Sequence, residues 1–242
     1  MKQQTRLIGE FLLIVVGVLV ALGVETALEE RKDDELRDEY IVRIKLDVES
    51  DKRAIGGRIE FFTAVQAFSN ELLRWLDTDA PVNHDILLAS FYAAELWPFV
   101  PNQATYEDLL STGNIRLLDD LELRTRLSAY HDKAHRSRSG WVPTENYRVI
   151  IRGMIPSDIQ GMIRENCPTT DALDDLPTGF PPCDLPGIDY AELTALYEPL
   201  KTNPGFRRTL TYRGSELAIM VYLLEQQVKF ADEVLTRIDR QD

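Results

Sequence analysis

The chain has 242 residues, 27 Lys plus Arg against 40 Asp plus Glu, 44% apolar residues and 2 cysteines. A formal charge of −13 argues against a nucleic-acid partner, because affinity for phosphate rests on Lys and Arg neutralising the backbone. Two cysteines exclude a disulfide-built scaffold and a Cys-rich zinc module, and the apolar residues recurring throughout exclude disorder over most of the chain.

The first predicted element is a membrane span. Residues 7–24 read LIGEFLLIVVGVLVALGV, with Glu10 the only ionisable side chain. At 1.5 Å per residue the run measures about 27 Å, close to the roughly 30 Å hydrocarbon core. The expectation is a short cytoplasmic stub (1–6), a transmembrane helix (7–24) and an extracytoplasmic domain (25–242). A signal peptide is the rival reading, with Lys2 and Arg6 as its basic start and Ala21-Leu22-Gly23 as a cleavage site. A retained anchor is favoured because the helical pattern passes Gly23 without a turn residue. The stub lacks acidic residues, which favours an N-terminus inside a bacterial inner membrane and a periplasmic bulk; the near-even basic count leaves the inverted topology as the alternative. Glu10 lies one turn beyond Arg6, where an i,i+4 pair satisfies it. Gly17 and Ala21 form a small-x-x-x-small face that admits a second helix.

From Glu25 to about Asp77 little stops a helix. Leu28, Leu36, Tyr40, Ile44 and Val48 fall four or eight apart, and Ile55, Ile59, Phe62, Val65, Phe68, Leu72, Leu73 and Leu76 continue the stripe. Gly56-Gly57 marks a kink or break, since glycine costs about 1 kcal/mol in a helix interior. Shorter helices are predicted from His84 to Leu96, from a capping-box-like Thr105-Tyr-Glu-Asp108 to Gly113, and from Asp119-x-x-Glu122 to about Ser137. Stretches near 145–154 and 157–165 are separated by Pro156, and Asp189-x-x-Glu192 opens a helix ending near Pro199. Asn203-Pro204 starts the last helix as N-cap and first-turn proline. Its stripe from Phe206 to Ile238 is interrupted at Arg213-Gly214. The fold class is all-α: a bundle carrying one long Pro-rich loop at 166–188. Cys167 and Cys183 flank that loop, and a disulfide closing it would stabilise the fold by roughly 3 kcal/mol; two free thiols are the alternative.

Candidate chemistry is sparse. His131 and His135 stand i,i+4, the spacing that aims two imidazoles at one metal, but the glutamate of His-Glu-x-x-His is missing and Lys133 and Arg136 would repel a dication. A solvated helix face is the favoured reading, and no catalytic or cofactor-binding residue is assigned. Arg207, Arg208 and Arg213 suit an anion or the acidic faces of the bundle. Trp75, Trp97, Trp141, Phe99 and Tyr106 would line an aromatic pocket or, more commonly, a core.

The anchor, Gly9-Glu10-Phe-Leu-Leu-Ile-Val-Val-Gly17-Val-Leu-Val-Ala21-Leu followed by Glu29-Glu30-Arg31-Lys32, resembles an uncharacterised bacterial family of single-pass membrane proteins. The stretch Thr105-Tyr-Glu-Asp-Leu-Leu-Ser-Thr-Gly113-Asn-Ile-Arg-Leu-Leu is similar to that family's second recurring segment. The Trp usual after the anchor is absent here. The resemblance implies a single-pass helical protein and carries no activity or cofactor. The leading expectation is therefore a non-enzymatic, membrane-anchored accessory subunit that touches lipid and either other membrane-protein subunits or its own copies. A periplasmic ligand-sensing domain and a metal-dependent hydrolase centred on His131 and His135 are the alternatives.

Overall fold

The structure, a computed structural model, describes residues 2–97, 99–139, 146–167, 180 and 182–240; for 2–12, 135–139 and 146 the backbone alone is described. Among the described residues the elements are helical: α1 (Lys2–Trp75), α2 (His84–Tyr92), α3 (Ala104–Ser111), a 3-10 turn (Asn114–Leu117), α4 (Leu121–Ser139), α5 (Asn146–Met154), α6 (Ser157–Asn166), α7 (Tyr190–Lys201) and α8 (Pro204–Ile238). The all-α expectation holds.

The long apolar stripes of α1 and α8 face each other and set the architecture. The two helices run antiparallel: Arg207 near the start of α8 pairs with Asp77 just past the end of α1, while Lys45 pairs with Asp239 at the far end. Three buried clusters stack along this pair. One end holds Tyr40, Ile44 and Val48 with Leu123, Leu127 and Tyr130 of α4 and Val234 and Ile238 of α8. Ile55, Phe62 and Val65 meet Leu217 and Leu224 in the middle. The other end gathers Leu72 and Trp75 with residues of α2, α5, α6 and α7.

Gly56-Gly57 does not end α1, and α8 passes through Arg213-Gly214. Ile55 and Phe62 on one helix and Leu217 on the other are fully buried, and that burial outweighs the roughly 1 kcal/mol helix cost of a glycine. Local caps behave more nearly as expected. Asn203 accepts N–H bonds from Gly205 and Phe206, with Pro204 in the first turn, and Asp189 does the same for Ala191 and Glu192. At α4 the cap is Asp120 rather than Asp119: its carboxylate accepts the Glu122 and Leu123 N–H groups. Gly113, at φ 75, closes α3 in the left-handed conformation that glycine adopts without strain. The capping box predicted at Thr105 and Asp108 does not form. Both side chains reach across to α1 instead, Thr105 to Asp47 and Asp108 to Tyr40 and Arg43.

The membrane-anchor expectation is overturned. Among the described residues no helix is long and apolar enough to cross a membrane. The predicted span at 7–24 is one part of a continuous 74-residue helix. Residues 7–12, with Glu10 among them, lie outside the described side chains, as do Lys2 and Arg6. The single-pass topology, the inner-membrane and periplasmic placement, and lipid as a partner are corrected with it. Gly17 and Ala21 stand on an exposed stretch of α1, and nothing lies within 4 Å of where a Cβ on Gly17 would be.

Cys167 and Cys183 are joined, with Cα atoms 5.1 Å apart. The bond ties the end of α6 to the segment leading into α7, and Tyr92 of α2 donates to the Cys167 carbonyl at 2.9 Å. Residues 168–179 and 181 of the predicted loop lie outside the described residues. Reduction of the bond should lower the unfolding free energy by about 3 kcal/mol, the loop-closure entropy of a ring this size. Urea titrations with and without a phosphine reductant would read it, and an unchanged midpoint would contradict it.

Candidate functional site

Two buried polar clusters lie between the helices. The first begins with α1, where Tyr40, Ile44, Val48 and Ile55 form the core stripe at spacings of four, four and seven, and Asp51 occupies the stripe position between Val48 and Ile55. The helix therefore turns a carboxylate inward. Asp51 is 4% exposed. Tyr130 of α4 donates to its Oδ2 at 2.6 Å, and the Asn102 backbone N–H donates to its Oδ1 at 2.9 Å. One turn earlier Asp47 accepts from the Asn102 side-chain amide at 2.7 Å and from Thr105 at 2.5 Å. The two carboxylates together clamp the connection entering α3 onto α1. Burial pushes the Asp51 carboxyl up to about 6, with Asp47's charge adding to the rise, against the Tyr130 and Asn102 donors and the positive charge of Arg58.

His131 adjoins this cluster. It is buried and stacks on Tyr106 of α3 with ring centroids 4.2 Å apart. Its Nδ1 has no hydrogen-bond partner. Burial brings the imidazole down to about 4, and the charge of Asp47 only partly opposes this. The expectation of a solvated face at this residue is corrected: the ring is core, because Tyr106 arrives over it from a different helix. The side chain of His135 lies outside the described residues. Among the described residues no group of three His, Cys, Asp or Glu side chains could hold a metal ion, so the hydrolase alternative finds no metal centre among them.

The second cluster surrounds the turn just past the end of α2, at 93–95, whose carbonyls need donors from other elements. Arginines from two other helices supply them. Arg213 of α8 donates to the Ala93 carbonyl at 3.1 Å and to that of Glu95 at 2.8 Å. From α5, Arg148 donates to the Ala94 carbonyl, and Arg152 to the Phe91 carbonyl and the Glu95 carboxylate. Cationic donors at a helix C-terminus also meet the negative end of the helix dipole. Beneath them Tyr147 donates to the Ser90 carbonyl at 2.9 Å, and the Ser90 and Tyr197 hydroxyls share a bond of 2.7 Å. Of the three arginines singled out from sequence, Arg213 is thus a buried cap, Arg207 pairs with Asp77, and Arg208 is exposed.

The predicted aromatic set does not converge. Trp75 is core and donates to the Ala80 carbonyl. Trp97 packs on Phe61 and beneath Arg58, which also lies over Phe99, and Tyr106 belongs to His131. Trp141 lies outside the described residues. A groove of about 300 Å³ between α6 and α7 is lined by Asp158, Asp189 and Glu192 over Ile159, Leu193 and Leu196. Its carboxylates are cap or first-turn groups of the two helices, where the dipole favours them.

No protein family matches the chain, and neither a curated protein nor a solved structure is similar to it. The resemblance to a single-pass bacterial family is therefore unsupported, both by comparison and by the missing span. The two buried clusters went unnoticed in the sequence. Asp51 and Arg213 left a signal there, each as a charged residue standing on an apolar stripe.

Proposed function

We propose that the chain is a non-catalytic helical assembly protein that associates with copies of itself through the projecting part of α1. The observation that carries this reading is the exposure of residues 13–28. Leu13, Ile14, Val16, Val18, Leu19, Val20, Leu22, Val24 and Leu28 are each more than half exposed, at 53–76%. Among the described residues the contacts of α1 with the rest of the chain start at the Asp33–Arg116 pair and its apolar packing at Leu36 and Tyr40, so the apolar stretch extends beyond the bundle. A monomer in water does not ordinarily leave so large a continuous apolar surface open.

A second copy suits this stretch better than an unlike partner. Residues 13–24 carry no charge for a complementary partner to read. Gly17 and Ala21, one turn apart, leave a notch in which a neighbouring helix backbone fits closely. In the charged stretch that follows, Arg31 pairs with Glu35 and Arg37 with Asp34 and Asp38, which lowers repulsion between copies at that level. The absence of a catalytic role is supported by the burial of both polar clusters, whose acids and phenols bond across from one element to another.

Light scattering on the full chain tests it. The wild type should run as an oligomer, and Val16→Asp with Val20→Asp should give a monomer of unchanged helix content. A wild type that stays monomeric across a hundredfold range of concentration overturns the proposal.

A further inference from the structure

The joint between α1, α3 and α4 contains two buried titratable groups that the assembly reading does not use. Asp51 is 4% exposed and His131 7%; the carboxyl is held by neutral donors from Tyr130 and Asn102, and the imidazole lies flat on Tyr106 with one nitrogen unpartnered. We propose that these two groups make a proton-compensated joint, in which their charge changes on folding oppose each other, so that α4 stays docked on α1 from mildly acidic to neutral pH.

Among the described residues the groups facing the joint are few. From α1 come Asp47 and Arg58. The connection before α3 contributes the neutral Asn102, and α3 itself Thr105 and Tyr106. Tyr130 comes from α4, and from α8 comes Gln227, which donates to the Tyr130 carbonyl at 3.1 Å.

Burial favours the uncharged form of each group, and the two uncharged forms differ by a proton in opposite senses. The Asp51 carboxyl binds its proton near 6 rather than 3.8. Acidification through that window therefore favours the folded chain, and the advantage is lost as pH rises through about 6. His131 binds its proton near 4 rather than 6.5. Its contribution is present above 6.5 and lost as pH falls through the same window. Near pH 5 the folded chain holds one proton on the carboxyl, whereas the unfolded chain holds one on the imidazole. Proton counts in the two states match, and stability has no slope where they match.

Either group alone turns the joint into a switch. Urea unfolding of the full chain at pH 7 and pH 5 reads this as a change relative to wild type, which cancels the contribution of every other carboxylate. On going from pH 7 to pH 5, the folding constant of Asp51→Asn should fall about tenfold relative to wild type, and that of His131→Phe should rise at least about tenfold, each being the effect of one uncompensated proton. His131→Phe keeps the stack on Tyr106. Both variants tracking wild type overturn the proposal. Should Asp51→Asn fail to fold, proton NMR of the wild type decides: the His131 ring must remain neutral from pH 7 to pH 5, and a His131 that protonates within that range overturns it.

Discussion

Phe62→Ala is expected to lower the unfolding free energy by about 3–5 kcal/mol, the range for deleting a fully buried aromatic ring. Phe62 is 0% exposed at the middle of α1, where the helix meets Leu217, Met220 and Leu224 of α8. Phe61 stands against it edge-on at 5.2 Å between centroids. That neighbour cannot swing in to fill the space, because its own ring also contacts Trp97 and Phe180. The hole therefore stays open on the seam that joins the two end clusters. With total stability ordinarily near 5–15 kcal/mol, one substitution should consume a large share of it. Phe62→Leu keeps most of the volume and should cost clearly less. Urea titrations would show a lower midpoint at unchanged slope, and a loss below about 1 kcal/mol would mean that the α1–α8 seam is not a close-packed core.

What was legible in the sequence follows from the range of each interaction. The 3.6-residue stripes identified α1 and α8 because burial on one face is written into the spacing itself. Caps that act over two or three residues, such as Asn203 and the break at Pro156, were likewise readable. Gly56-Gly57 misled because glycine's cost is local, whereas the packing of Ile55 and Phe62 against α8 that overrides it comes from residues far along the chain. His131 misled for the same reason: its ring is buried by Tyr106, and nothing near it in sequence announces that contact. The apolar run at 7–24 shows a different failure. A hydropathy window reports composition, and composition alone does not establish a span; in the fold the run belongs to a helix that continues without a break to Trp75.

Arg213 gives the sharpest case of a residue whose purpose lies in another element. Glu95 and Ala93 lie just past the end of α2, where no helical N–H reaches their carbonyls, and Arg213 answers both from 118 and 120 residues away. Its side chain is 6% exposed, and Glu216 stands 4.0 Å off. Burial lowers the guanidinium from its ordinary value while Glu216, Tyr147 and Glu95 support its charge, so the group stays ionised and its hydrogen bonds are charge-assisted. Arg213→Met fills much of the same volume but leaves two buried carbonyls unanswered. At about 1.5–3 kcal/mol for each charge-assisted bond, the expected loss is about 3–6 kcal/mol. Arg213→Lys separates charge from geometry: an ammonium carries the charge but lacks the planar fork that meets two carbonyls at once. It should therefore recover only part of the stability, about half. Amide hydrogen exchange should locate the damage as well as size it, with protection falling first along α2 and only later in α4 at the opposite end. Equal loss in both places would show that the cap supports the whole bundle, and full stability in Arg213→Met would show that the α2 carbonyls find other donors.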